Sequence, residues 1–368
     1  MTKILHITTD SNIGGAGHQI LALIGQMDAS EYSIEVILPE NARLSPLLAQ
    51  KSIPFTEVPH IAERSFSIKG LRVLYKTIKA CAPDIVHTHG SLAGRIAAWA
   101  FRRSRIVYTR HSAFTLPAWR LRFPVKQLSG IINNSFSDLI IAVSPAAKDN
   151  LLEMGTAENK IRVVYNGLPA IKLPTVNLQD KYNVPPDTFT LIMLTRLAEV
   201  KGHDDVLDAA KMLPPDVLIL IGGMGPREAH LEERIRNENI TNVKLLGFID
   251  EIEEVISIAD AQLNASFGTE ATSLALIQGM SAGRPAIVTN FGGNPYVIQD
   301  GVNGLVVETR NPQAMAEAII RLKSDRELYT TLSTGALQIY QEKFTDKIMA
   351  SGTEAVYKGL LTKFPLRP

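Results

Sequence analysis

At 368 residues the chain is long for one core, and roughly 100 to 200 residues per domain predicts two domains. Apolar residues make up 45% and charged residues 20%, which excludes a disordered or collagen-like chain, and the single cysteine, Cys81, excludes an internal disulfide. Net charge is only +1, but residues 1–165 carry 19 Lys and Arg against 12 Asp and Glu, leaving the remainder acidic, so the first half suits an acidic partner.

The opening "MTKILHITTD" lacks the apolar core and cleavage signature of a secretory signal, and no apolar run approaches the roughly eighteen residues of a membrane span. The expected location is the cytoplasm, with any membrane touched at its inner face. In chain order, "KILHIT", "IEVILP", "DIVHTH", "RIVYT", "DLIIAVS" and "IRVVYNG" predict strands separated by helices, a pattern for a parallel sheet covered on both faces. "NGLPAIKLPTVNLQDKYNVPPD" then supplies four prolines and no period, which predicts a linker. From Phe189 the alternation restarts with "FTLIMLTRL", "DVLILIGG", "VKLLGF", "AQLNAS", "RPAIVTN" and "NGLVVE", and three consecutive helices follow. The expected organisation is a first Rossmann-like domain at 1–168, a linker at 169–186, a second Rossmann-like domain at 187–343, and a helix at 344–368 that returns to the first.

Ligands of such α/β domains bind in loops that follow strands. After the first strand, Gly14, Gly15 and Gly17 open a helix whose amides suit an anion; a plain tight turn fits as well. His87, His89 and His111 end two further strands at a spacing that does not compel a metal site. His203, Asp204 and Asp205 read as a helix start with acids favoured by the dipole. Arg196 ends a strand and Lys201 precedes the next helix, two fixed cations suited to a diphosphate. Gly222, Gly223 and Gly225 form another glycine-rich turn, able to pass under a base or ribose. Glu270 follows the strand "AQLNAS", Ala271 to Ser273 are expected to begin a helix, and eight residues of helical rise put Gln278 at most roughly 12 Å away. The plainer readings are a helix-end charge for Glu270 and a surface amide for Gln278. Finally, Arg102, Arg103, Arg105, Arg120, Arg122 and Lys126 are interleaved with Phe114, Trp119 and Phe123, a combination suited to an anionic membrane or acceptor.

Taken together, "GGAGHQ", "VHTHG", "YTRHS", "TRLAEVKG", "GGMGP", "LGF" and "SFGTEATSLALIQGMSAGRPAIVTNFGGNPYVIQDGVNGLVV" resemble the retaining glycosyltransferases of family four over nearly the whole chain. The resemblance implies an α/β GT-B fold, two Rossmann-like domains facing a cleft, with a nucleotide sugar mainly on the second and the acceptor mainly on the first. It implies that Arg196 and Lys201 neutralise the donor diphosphate, that Glu270 holds sugar hydroxyls beside the amides of Ala271, Thr272 and Ser273, and that His111 contacts the sugar. Gly14, Gly15, Gly223 and Phe248 fall at further donor positions. The family's second glutamate, which grips the ribose, is Gln278 here, and the weaker acceptor costs on the order of 1 kcal/mol. Further expectations are a UDP-sugar donor, retention of configuration, no metal and no cofactor. The acceptor expected is a glycan, a lipid-linked sugar or a small molecule, with no nucleic acid as partner. An epimerase of UDP-N-acetylglucosamine and a non-catalytic nucleotide-sugar binder are the alternatives.

Overall fold

In the computed structural model, which describes residues 1–363, the chain divides into two units. The first holds Met1–Ser112, Leu116–Gly167 and the chain from Asp346 onward; the second holds Ala113–Thr115 and Leu168–Thr345. Residues 364–368, the end of the expected C-terminal helix, lie outside the described residues.

The first sheet contains β1 (Thr2–Thr8), β2 (Tyr32–Pro39), β3 (Phe55–Val58), β4 (Ile85–His89), β5 (Arg105–Arg110), β6 (Leu139–Ala142) and β7 (Ile161–Val163). Their order is β3-β2-β1-β4-β5-β6-β7, every neighbour parallel. Burial on both faces explains why the strands read as near-continuous apolar runs. Side chains alternate: Leu5, Ile7 and Val86 join one core, while Ile4, Ile85, Val107 and Ile141 join another. The helix Asp346–Lys363 lies in this second core through Met349, Val356, Tyr357 and Leu360. Sequence reading did not foresee β3, a four-residue edge strand that is only partly buried.

The second sheet contains β8 (Phe189–Leu194), β9 (Val217–Gly222), β10 (Val243–Gly247), β11 (Ala261–Asn264), β12 (Ala286–Thr289) and β13 (Gly304–Val307), in the order β10-β9-β8-β11-β12-β13 and again all parallel. Helices Pro312–Ser324 and Arg326–Lys343 follow β13, their first turns capped by the side chains of Asn311 and Asp325. The stretch read as a linker carries no helix or strand, yet it belongs to this unit. Val184 is buried, and Leu178 and Tyr182 pack with it against Ile192, Leu218 and Leu220. Its proline-rich sequence therefore covers one face of the second sheet. Among the described residues no helix is long and apolar enough to cross a membrane.

Candidate active site

A doubly wound sheet opens its ligand crevice at the carboxyl ends of the two strands where the winding reverses. In the second unit these are β8 and β11. Beyond β8 come Thr195, Arg196 and a 3-10 turn, Glu199–Lys201, after which Gly202 (φ 74°) leads into the helix His203–Ala210. Beyond β11 the chain runs through Ala265 and Ser266 to Glu270. The two exits touch, because a Cβ on Gly202 would lie only 2.1 Å from the Ala265 carbonyl oxygen. Only glycine allows that approach.

This contact brings Lys201 and Glu270 together. Lys201 Nζ donates to Glu270 Oε2 at 2.9 Å and to the Thr269 carbonyl oxygen at 2.9 Å. Asn264 Nδ2 and Ser266 Oγ donate to the same Oε2 at 3.1 and 3.2 Å. The Lys201 and Glu270 side chains are 17% and 9% exposed. The Glu270 backbone is fixed as well: its amide donates to Ala113 O at 3.0 Å, and its carbonyl accepts from Gly293 N at 2.9 Å. A Cβ on Gly293 would lie 1.7 Å from Ala271 O, so backbone contact requires the last glycine of "FGG". Asn264 is oriented in turn by Ser266 N and Asn294 Nδ2, which both donate to its Oδ1. A carboxylate so held is already in place when charge develops beside it. An ammonium has three protons, and two are used here, which leaves one for an incoming oxygen.

Arg196 is exposed, and its guanidinium has no hydrogen-bond or ion-pair partner among the described residues. Gly223 (φ 142°) sits where a Cβ would be 1.9 Å from Thr195 O, and Gly225 where one would be 2.3 Å from Leu197 O. The glycine-rich turn after β9 therefore seats the backbone around Arg196, a packing role that the sequence reading, with a base or ribose in mind, did not consider. Phe248, just past β10, is 57% exposed. Asp204 is held structurally. Desolvation opposes its ionisation, but hydrogen bonds from His230, Arg234 and Arg227 keep its carboxyl at about 2, and burial lowers His203 to about 4.

Two expectations need correction. Ala271 to Ser273 do not begin the helix: it spans Leu274–Ser281, and Ser273 is its N-cap, accepting from Leu276 N. Glu270 and Gln278 therefore do not share a helix, since an irregular loop covers half of their separation. The Gln278 side chain is half-buried and makes no hydrogen bond among the described residues. Arg105 is not part of a surface patch. It starts β5, is 8% exposed and lies 3.7 Å from Asp138, because its position in a central strand takes it inward. Arg102, Arg103 and Arg122 are exposed, Lys126 is half-buried, and Arg102 and Arg120 lie over the rings of Trp99 and Trp119.

In the first unit the winding reverses between β1 and β4. Gly14 precedes the helix Gly15–Gln26, whose first residue is exposed. A cavity of about 540 Å³ is lined by Asp10, Glu63, His89, Arg95, Arg110 and His111, among others. Register explains a cluster of histidines behind it. His6 pairs with His87, Thr8 with His89 and His89 with Thr109, and the period of two puts His6, His87 and His89 on one sheet face. One ring nitrogen from each lies within 4.8 Å of the others, but both nitrogens of His87 are engaged, by Tyr357 Oη and Thr109 Oγ1, each at 2.6 Å. His6 Nδ1 lies 3.0 Å from His89 Nε2, and His89 Nδ1 lies 2.9 Å from His111 Nε2. Burial holds these rings neutral, with His6 at about 3 and His111, where Arg110 adds to the effect, at about 4. His6 Nε2 is buried and has no hydrogen-bond partner among the described residues. A bare nitrogen lone pair there costs less than an orphaned N–H, so His6 carries its proton on Nδ1 and donates to His89, which donates to His111. His111 then bears its own proton on Nδ1.

Sequence reading missed His6, Asn264, Ser266, Asn294 and Arg95. The histidine needed strand register, which no motif supplies. Arg95, a lone cation in "SLAGRIAAWAF", was the legible signal.

Two family patterns match the chain: that described as glycosyltransferase family 4 at residues 13–170, and that described as glycosyl transferases group 1 at residues 176–338. The chain is 28% identical to an N-acetyl-alpha-D-glucosaminyl L-malate synthase of Bacillus anthracis, over 76% of this chain and 75% of that one. It is 26% identical to a UDP-Gal:alpha-D-GlcNAc-diphosphoundecaprenol alpha-1,3-galactosyltransferase of Escherichia coli, over 89% of each. Among solved structures, Anabaena HepE in complex with UDP and glucose aligns with a TM-score of 0.84 and 20% identity, covering 98% of this chain and 100% of that one, a likeness of fold.

Proposed function

Because the chain belongs to the GT-B glycosyltransferases of the group 1 and family 4 kind, we propose that it moves a hexose from a UDP-sugar to an acceptor hydroxyl with retention of anomeric configuration. The observation that carries this reading is the Glu270 carboxylate, fixed by Lys201, Asn264 and Ser266 where β8 and β11 part. Glu270 takes the sugar hydroxyls. The remaining Lys201 proton and the Arg196 guanidinium neutralise the diphosphate as the bond from the anomeric carbon to its phosphate oxygen breaks. The acceptor oxygen bonds to that carbon from the same face, and its proton passes to the departing diphosphate. With this much fixed positive charge the step calls for no metal. UDP is favoured as carrier because the Escherichia coli relative is named for UDP-Gal and the HepE structure holds UDP. The cavity of the first unit is the proposed acceptor site, with His111 on its wall as a contact for reacting sugar.

Gln278, if it grips the ribose, acts on binding and not on chemistry. Gln278→Ala is expected to weaken both UDP-sugar and UDP by about 1 kcal/mol, the usual worth of one hydrogen bond. Calorimetry with each ligand beside steady-state rates checks it; unchanged affinity with lost turnover would remove the ribose role.

We also propose peripheral contact with an anionic membrane, at the cytoplasmic face. Phe123 is 80% exposed, and Trp119, Leu128 and Ile131 are exposed close by in sequence with Arg120 and Arg122. Sedimentation with anionic liposomes is expected to bring the protein down at low salt, and Phe123→Glu is expected to reduce it. No sedimentation at low or physiological salt would end this proposal.

A further inference from the structure

Arg95 sits in the helix Leu92–Phe101 beside Ala93, Ala97 and Ala98, which pack against the first sheet. It is 6% exposed and lines the cavity of the first unit. Its Nη1 donates to Asn133 Oδ1 at 3.1 Å and Ser137 Oγ at 3.4 Å, and its guanidinium carbon stands 4.3 Å from the centre of the Tyr108 ring. Nε is buried and has no hydrogen-bond partner among the described residues. Every one of these neighbours is neutral, and among the described residues no carboxylate forms an ion pair with Arg95. Burial lowers its pKa, yet a guanidinium stays protonated at any physiological pH. A buried charge without a counter-ion is a standing cost, and it is relieved when an anion arrives.

The rest of the cavity narrows what that anion is. Arg110 lines the same cavity and adds a second cation to its wall, held there by hydrogen bonds from Nε to Ser112 O, from Nη1 to Tyr108 Oη and from Nη2 to Asn150 Oδ1, at 3.0, 3.5 and 3.2 Å. Asp10 and Glu63 line it too, and neither forms an ion pair with Arg95 among the described residues. Desolvation raises the Asp10 carboxyl, opposed by a hydrogen bond from Asn12 N and reinforced by Glu63. Carboxylates accept from hydroxyls and repel anions, so the cavity offers cations for one group of a ligand and acceptors for its hydroxyls. Its volume of about 540 Å³ suits a small molecule. We propose that Arg95, with Arg110, binds a carboxylate or phosphate of a small hydroxylated acceptor in this cavity. The acceptor role rests on the transferase reading; the anion site does not.

The test is calorimetry on the full chain with inorganic phosphate, glycerol 3-phosphate and glycerate, with glycerol as the neutral control, all at constant ionic strength. At least one anion is expected to bind, glycerol is not, and the phosphate and carboxylate arms separate the two chemistries. Arg95→Met is expected to weaken that binding at least tenfold and Arg95→Lys less, while UDP affinity stays within twofold of the wild type. Absence of anion binding to the wild type, or equal binding by Arg95→Met, would overturn the proposal and leave Arg95 as a buttress for Tyr108 and Asn133. If Arg95→Met does not fold, the wild type decides: phosphate or glycerate is expected to raise its unfolding temperature above that in sodium chloride of equal ionic strength, and no rise with either overturns the site. Anion binding without turnover of any nucleotide sugar would sink the transferase reading alone. Transfer to neutral acceptors at a rate indifferent to Arg95→Met would sink this proposal alone.

Discussion

Lys201→Ala is expected to lower the rate of glycosyl transfer at least a hundredfold and to cost the second unit about 3 kcal/mol of stability. Both effects come from one geometry. The ammonium lies 2.9 Å from Glu270 Oε2 and 2.9 Å from Thr269 O, so its removal leaves a carboxylate that is 9% exposed with only the neutral donors Asn264 and Ser266. Breaking one side of a buried pair is more damaging than removing both. Glu270→Gln keeps the shape and an oxygen for those donors, so its stability loss should be near 1 kcal/mol. Its turnover should still fall further than its donor affinity, because contacts to the sugar tighten as the bond breaks. The Lys201→Ala, Glu270→Gln double variant should lose less stability than the two single losses added. Denaturant unfolding, donor calorimetry and steady-state rates on the three variants check this. Loss of stability with donor binding and turnover intact would make the pair purely structural.

The second large effect is acid sensitivity concentrated in the first unit. His6 is held at about 3 against an ordinary value near 6.5, and burial keeps His87 and His89 well below that value too. A histidine lowered in the folded state leaves the unfolded chain binding more protons between the two values. The stability it permits is therefore complete above about pH 6.5 and is lost as pH falls from there toward the folded value. The slope is about 1.4 kcal/mol per pH unit for each ring, so His6 alone removes about 2 kcal/mol by pH 5. The second unit holds one comparable ring, His203, at about 4, while its Asp204 and Glu238 carboxyls, at about 2, give up nothing until far lower pH. Both tryptophans, Trp99 and Trp119, lie in the first unit, so their fluorescence reports on that unit. Its midpoint should drop by roughly 10 °C or more between pH 7.5 and pH 5. His6→Gln should flatten that dependence. Equal midpoints at the two pH values would mean that the histidines are hydrated and not sealed.

What could be read in advance followed the physics of each feature. Parallel strands buried on both faces announce themselves as apolar runs, so twelve of the observed segments were visible, while β3, short and at an edge, was not. By motif, Arg196 and Glu270 follow strands and Lys201 precedes the next helix, which is where the structure carries them. Their mutual arrangement was not legible. That Lys201 grips Glu270 depends on Gly202 lying against Ala265, a contact between two loops far apart in sequence. Asn264 and Ser266 looked like ordinary loop polarity, and Ser273 was mistaken for the body of a helix that it caps. Arg105 was counted with its basic neighbours because charge is visible in a sequence and the direction of a strand's side chain is not.

Sugar transfer by the site around Glu270 is tested most directly by product analysis. The protein is incubated with a panel of nucleotide sugars and hydroxylated acceptors, and proton spectra follow free nucleotide diphosphate, epimers and the anomeric signal of any glycoside. The expected result is release of UDP in step with a glycoside of the donor's own anomeric configuration, at least tenfold slower with Glu270→Gln. A product of inverted configuration, an epimerised donor without transfer, or a rate that ignores Glu270→Gln would contradict it.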